Sequence, residues 1–328
     1  MLVHKRILVA LSLWAFAAAA AGPALAGSTP QPDLRQVKVN VYVDLLNTWS
    51  PAIRGARKQY ANWVTSLETG PTCKERGIRP FGSFGDTMVK NLETAAAAIA
   101  KKPALPADAA ATKMVDASRA LVEPTREADT YYARGYREDG CKRGQELHPL
   151  LVAGWRAYFA AEAEVRAFVV AYNDELDAKL LTSTRTKYGE GFRYYLELQL
   201  GNSKALIREI NTQFEGDTPD VAAVTKRAVA LGETLDAVEA TVAKAKATPA
   251  SKKVFDELYQ GGYQRTIQAS RNLHRTVAPL LAAVAAAGKP GAGRSEASQI
   301  ETQLKNAFAE YNQMIGTLNK VKLSANVK

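Results

Sequence analysis

The side chains best suited to chemistry are concentrated in one short segment of the chain. The segment holds three tyrosines, one arginine, three carboxylates and one histidine, namely Tyr131, Tyr132, Tyr136, Arg137, Glu138, Asp139, Glu146 and His148. Aromatic faces beside charged groups favour recognition of a sugar or a peptide. Paired carboxylates also carry out glycoside hydrolysis when a cleft separates them suitably. A well-packed connector between helices uses the same residue types, and this third interpretation is favoured.

Common catalytic and metal-binding motifs are missing from the sequence. It contains no H-E-x-x-H, G-x-S-x-G, EF-hand or C-x-x-C pattern. Glu146 and His148 are two residues apart, so on a helix they point to different faces, whereas a metal pair needs a spacing of three or four. With Pro149 at the first helical position, His148 suits capping or packing at a helix start. We therefore predict no catalytic residue, no metal site and no cofactor.

Residues 1–26 have the pattern of a secretory signal peptide. Lys5 and Arg6 supply the positive start, an apolar run follows over residues 7–22, and Ala24-Leu25-Ala26 fits the rule for cleavage. A membrane anchor is the alternative, but a run of about 16 residues is short for a membrane span. We predict cleavage near Ala26, a polar tether over residues 27–36, and a soluble periplasmic or secreted protein without a stable membrane anchor.

The charge of the chain is strongly basic, with a formal net charge of +10 and a pI near 9.4. Such a balance can indicate nucleic-acid binding. However, lysines and arginines alternate with acids along the helices, and export also argues against that partner. We predict solvated helix faces and no nucleic acid, with weak attraction to anionic polymers or lipid headgroups of the cell envelope as the alternative.

Apolar residues recur at helical spacing along most of the chain. The first such stripe has alternating spacings of four and three residues and consists of Tyr42, Leu46, Trp49, Ile53, Ala56, Tyr60, Trp63 and Leu67. No alternating apolar run bounded by turn residues indicates a strand. We predict an all-α antiparallel bundle of seven or eight helices, some of them long and kinked at prolines. We predict that residues 37–323 form one helical domain, with two helical halves that meet near residues 185–190 as the alternative. The sequence leaves open whether these halves are a duplication.

The two cysteines are predicted to form a disulfide. Cys73 follows the first predicted helix and Cys141 the third, and in an up-down bundle these connections emerge at the same end. An exported protein with two cysteines also favours one bond. The chain-entropy model gives about 4 kcal/mol for a loop of this length. Two free thiols are the alternative.

The segment from Tyr131 to Pro149 resembles a known family. Its YY…Y…D…G-x-E-L-H-P-x-L pattern is similar to that of the YiiG-like family of bacterial envelope proteins, a domain of unknown function with many lipoproteins. Residues 41–47 and 171–173 are also similar, and the likeness extends from about residue 36 to residue 320. The chain lacks the lipobox cysteine of the family's lipid anchor, and Cys141 stands where a polar residue is expected.

The resemblance implies an envelope protein and brings no known reaction. We therefore expect a non-catalytic protein that binds or scaffolds an unknown envelope component. The alternative is a hydrolase of an envelope glycan or peptide that uses the carboxylates between residues 138 and 146.

N-terminal sequencing of the exported protein tests the predicted signal. Cleavage after Ala26 gives a mature chain that begins at Gly27 and has lost Lys5 and Arg6, which lowers its net charge to about +8. Recovery of a chain that still begins at Met1 from the membrane fraction would contradict this prediction.

Overall fold

The structure is a computed structural model that describes residues 33–79, 82, 84–215, 219–247, 263–287 and 294–320. Within these ranges the chain forms eight α-helices and no strand. The helices are α1 (Leu34–Trp63), α2 (Asp86–Ile99), α3 (Asp108–Arg134), α4 (Lys142–Tyr188), α5 (Phe192–Glu215), α6 (Val221–Lys246), α7 (Gln264–Ala287) and α8 (Arg294–Lys320). The predicted all-α helical bundle is confirmed.

The first helix begins earlier than the sequence pattern indicates. The side chain of Asp33 accepts a hydrogen bond from the backbone N–H of Arg35, at 2.9 Å, and so caps α1. The last three residues of the predicted tether are therefore helical, because the capping signal at Asp33 precedes the apolar stripe. Residues 27–32 of that tether and the predicted signal peptide lie outside the described residues.

The chain divides into two compact units, Ser28–Asp174 and Glu175–Lys328. The first unit contains α1, α2, α3 and most of α4, and the second contains the end of α4 and the later helices. The sequence predicts that two halves would meet near residues 185–190. In the structure α4 ends there, at Tyr188, but the boundary between the units lies earlier, within α4.

The core of the first unit is built from the predicted apolar stripes. In α1 the side chains of Tyr42, Trp49, Ile53 and Tyr60 are at most 1% exposed. Leu67 is the exception in the predicted stripe, because α1 ends at Trp63 and Leu67 lies half-buried in the following loop. From α4 the core receives large side chains at the same helical spacing, namely Leu147, Leu151, Trp155, Tyr158 and Val165.

The second unit has a separate apolar core. Within it α5 packs along α6 and α7 packs along α8. Its most deeply buried members come from all four of these helices and include Leu206, Ile210, Val224, Leu231, Val238, Leu273, Leu280, Ala307 and Met314.

A buried lysine joins α1 to the connection between α2 and α3. The Nζ of Lys38, a residue only 4% exposed, donates to the carbonyls of Lys101 (2.7 Å) and Pro103 (2.8 Å) and to Oδ2 of Asp108 (2.8 Å). The hydroxyl of Tyr42 donates to Oδ1 of Asp108. Burial alone would raise the pKa of Asp108, but the hydrogen bonds from Lys38, Tyr42 and a backbone N–H lower it below its usual range.

Replacing Lys38 by methionine removes this junction. Lys38→Met leaves the Asp108 carboxylate and two carbonyls without their donor, so we expect the free energy of unfolding to fall by about 3 kcal/mol. Urea denaturation measures the loss, and Lys58→Met, at an exposed position of the same helix, is the matched control. Equal effects of the two substitutions would contradict a specific role of the buried ammonium.

Candidate functional site

The loop after α1 and the connector before α4 are joined at one end of the first unit. Cys73 in the loop and Cys141 in the connector form a disulfide, with their Cα atoms 5.5 Å apart. The sequence-predicted site residues lie in and beside this connector. We call residues 64–76 and 131–148 together the disulfide end.

Both cysteines have a backbone conformation that is uncommon for residues with a side chain. The φ angle is 70° at Cys73 and 64° at Cys141, in the left-handed region. Each such residue costs on the order of 1 kcal/mol unless its surroundings hold it in place. At this end the surroundings include the disulfide and several long-range hydrogen bonds.

Glu75 connects the loop to itself and to the connector. Its side chain is 5% exposed, and Oε1 accepts from the N–H of Thr72 (2.6 Å) and the hydroxyl of Thr65 (2.7 Å). Its carbonyl accepts from the hydroxyl of Tyr136 (3.0 Å) and from Nη2 of Arg137 (2.9 Å). Burial would raise the pKa of Glu75, but hydrogen bonds from Thr65 and Thr72 outweigh it and lower the pKa to about 2.

His148 connects α4 to both the loop and α1. The imidazole is 6% exposed, and its Nδ1 lies 2.9 Å from the hydroxyl of Tyr60. Burial lowers the pKa of His148, and a hydrogen bond with the backbone of Leu67 opposes this shift only in part. The lowered pKa favours the neutral imidazole. Gly70 (φ +82°) passes so close that a Cβ there would stand 2.9 Å from the ring.

Asp139 caps the start of α4. Its Oδ2 accepts from the backbone N–H of Arg143 (2.9 Å), and its Oδ1 accepts from the hydroxyl of Tyr131 (2.7 Å). The Tyr131 hydroxyl also contacts the carbonyl of Tyr136, at 2.9 Å. The backbone and Tyr131 hydrogen bonds lower the pKa of Asp139, so its carboxylate is ionised at neutral pH.

Two more predicted residues have structural contacts. The ring of Tyr132 packs edge-on against Trp63, with centroids 4.6 Å apart, and Gly144 leaves the space that its hydroxyl occupies. Glu146 accepts from Nη1 of Arg143 at 2.6 Å. The structure therefore brings these residues together as parts of the helix start.

Three consecutive predicted residues lie open to solvent at the disulfide end, where Asp139 and Glu146 are exposed as well. Tyr136 is half-exposed, while Arg137 and Glu138 are exposed. The guanidinium of Arg137 lies 5.2 Å from the centroid of the Tyr136 ring. Both side chains bond the carbonyl of Glu75, so they are held in place. We call Tyr136, Arg137 and Glu138 the Tyr136 surface.

The sequence prediction did not include two features. Glu75 is the organising carboxylate of the loop, but nothing in its sequence context distinguishes it from the exposed Glu68. The second feature is a basic and aromatic turn after α4, where Lys187 and Arg193 lie 5.1 and 4.9 Å from the ring centroid of Tyr188. Alternation of basic and aromatic residues in RTKYGEGFRYY was the available signal.

The described residues contain neither a candidate metal site nor a membrane-spanning helix. No cluster of three or more histidine, cysteine, aspartate or glutamate side chains there has the geometry to hold a metal ion. None of the helices in the described ranges is long and apolar enough to cross a membrane.

The comparisons with known proteins define the class of this chain. Residues 33–320 match the family described as "Protein of unknown function (DUF3829)", and the chain belongs to that family. The chain is also similar to the "Uncharacterized protein YiiG" of Escherichia coli (strain K12), with 24% identity over 291 residues that cover 87% of this chain and 78% of the relative. The expected membership of a YiiG-like family is confirmed. No solved structure matches the chain.

The depressed pKa of Glu75 makes the stability of the first unit depend on pH. A carboxyl whose folded-state pKa is about 2, against 4.5 ordinarily, stabilises the fold above pH 4.5, and this contribution disappears as pH falls towards 2.

The variant Glu75→Gln tests this dependence. Urea unfolding at several pH values is expected to show the largest difference between the wild type and the variant at pH 7, and almost none at pH 2. Glu68→Gln, at an exposed position of the same loop, is the control. Parallel stability curves for the wild type and Glu75→Gln would rule out the ionised, buried carboxylate.

Proposed function

We propose that the protein is an exported, non-catalytic protein that binds or scaffolds a component of the bacterial cell envelope. Three observations support this proposal: the signal-peptide pattern of residues 1–26, the disulfide between Cys73 and Cys141, and the resemblance to a family of envelope proteins. Disulfides persist mainly in oxidising compartments such as the periplasm. The proposed location is therefore periplasmic or secreted, with no stable membrane anchor after cleavage.

The proposal that the protein is non-catalytic depends on the contacts of the carboxylates in the connector before α4. A glycosidase needs one carboxyl with a raised pKa to protonate the leaving group. Asp139 instead caps α4 with a lowered pKa, and Glu146 pairs with Arg143. Glu138 is exposed to solvent. These contacts support binding over hydrolysis.

The Tyr136 surface is the proposed contact region. Tyr136 and Arg137 offer an aromatic face and a guanidinium, which suit a sugar ring and a carboxylate of a wall peptide. Both side chains are already fixed on the Glu75 carbonyl. Binding therefore loses little side-chain entropy, and preorganisation of this kind favours affinity.

Cosedimentation with purified peptidoglycan sacculi tests the proposal. We expect saturable retention of the mature protein without release of soluble fragments. Arg137→Gln is expected to weaken retention about tenfold, because a charge-assisted hydrogen bond is lost. Arg119→Gln is the matched control, since Arg119 is a half-exposed arginine already paired with Glu93 and Asp116.

Two results would overturn the proposal. Retention that does not saturate, or no retention at all, would contradict specific binding to peptidoglycan. Time-dependent release of fragments that Asp139→Asn or Glu146→Gln abolishes would establish the hydrolase instead.

A further inference from the structure

A group of cations is held on tyrosine rings in the second unit, where α4 ends and α5 begins. The Nζ of Lys187 and the guanidinium of Arg193 lie 5.1 and 4.9 Å from the ring centroid of Tyr188. Nη1 of Arg193 also lies 3.4 Å from the Tyr188 hydroxyl. Next to them, the guanidinium of Arg185 lies 6.0 Å from the centroid of Tyr194.

These cations differ from others of the same unit in their partners. Carboxylates neutralise several of those cations, as in Lys179–Glu175 at 2.5 Å and Lys305–Glu301 at 2.8 Å. Arg185 likewise pairs with Glu190, at 2.5 Å. Lys187 and Arg193 have no carboxylate within ion-pair distance among the residues that the structure describes. Among the described residues, two positive charges at this turn are therefore held in place without a carboxylate partner in an ion pair.

The nearest acidic influence on Arg193 comes from Glu197, one helical turn further along α5. Burial raises the pKa of Glu197, with Arg193 and Lys204 opposing that shift and Asp177 adding to it. Lys204 itself pairs with Asp177 at 2.7 Å. Arg193 and Glu197 therefore attract each other, but over a distance longer than that of an ion pair.

A tyrosine ring positions a cation without cancelling its charge. The ring attracts cations through its quadrupole, by about 0.5–1 kcal/mol at an exposed site, but carries no net charge. Because Lys187 and Arg193 share one ring, their charged groups are at most about 10 Å apart and repel each other. A bound anion between them would relieve this repulsion.

We infer that Lys187, Tyr188 and Arg193 form an anion-binding site that takes a phosphate group. A guanidinium binds two phosphate oxygens at once, an ammonium adds a point charge, and the Tyr188 hydroxyl is a third donor. A phosphate offers at least two free oxygens to these donors and carries a negative charge that complements Lys187 and Arg193. This site lies outside the Tyr136 surface and goes beyond the proposed envelope function, on which it does not depend.

The phosphate can belong to a lipid headgroup or to a soluble molecule, and two binding assays separate these sources. The first titrates the mature protein with inorganic pyrophosphate and follows the backbone amide signals of residues 185–195 by NMR. The second measures cosedimentation with vesicles of phosphatidylglycerol and phosphatidylcholine, compared with vesicles of phosphatidylcholine alone. Both are carried out at low ionic strength, because salt screens exposed charges.

The variants test the individual groups. Arg193→Gln and Lys187→Gln are each expected to weaken binding about tenfold, the equivalent of about 1.4 kcal/mol. Lys179→Gln removes the same charge from the same helix but at a position that Glu175 neutralises, so it is expected to change binding less than twofold. Tyr188→Phe keeps the ring and should retain most binding, whereas Tyr188→Leu removes the ring and should lose it.

Thermal unfolding followed by circular dichroism checks that each variant is folded. If the Arg193 variant does not fold, Lys187→Gln, at an exposed position, still tests the site. The site is supported if binding in either assay is saturable, is lost in the Lys187 and Arg193 variants and is kept in Lys179→Gln. The assay that shows binding then identifies whether the phosphate belongs to a lipid headgroup or to a soluble molecule. Absence of binding in both assays would overturn it. Equal losses in Lys179→Gln and Lys187→Gln would also overturn it, because net charge alone would then explain the binding.

Discussion

The covalent tie between Cys73 and Cys141 is the constraint on which the candidate site depends. It joins two segments whose cysteines are 68 residues apart in sequence. Both cysteines have left-handed backbone conformations, which require support from their surroundings. Glu75 supplies much of that support, since its carboxylate closes the loop and its carbonyl receives both Tyr136 and Arg137. The disulfide end is thus built as a fixed platform.

The residues that carry the family resemblance have clear structural tasks at this platform. Asp139 caps α4, Gly144 makes room for the tyrosine hydroxyl of Tyr132, and His148 joins α4 to α1 and to the loop. Their residue types are those of active sites, yet their contacts are those of a helix start. A motif of reactive side chains is therefore compatible with a binding protein, and the half-exposed Tyr136 and the exposed Arg137 are its proposed contact residues.

The helices and the meeting of the two cysteine segments could be predicted because both follow from local patterns. Apolar spacing predicts which face of α1 is buried, and up-down connectivity places alternate connections at the same end. The burial of Lys38 and Glu75 could not be predicted, because their partners are distant carbonyls or loop groups that only the fold brings near. The cation contacts of Tyr188 depend in the same way on how the chain turns after α4.

Amide hydrogen exchange of Thr72 tests the central claim that the disulfide end is a fixed platform. The N–H of Thr72 belongs to an exposed loop residue and donates to the buried carboxylate of Glu75 at 2.6 Å. The structure predicts that this amide exchanges at least about 100-fold more slowly than in an unstructured peptide, because exchange requires the loop to open. Exchange of the Thr72 amide at the unstructured rate in the oxidised protein would contradict the account.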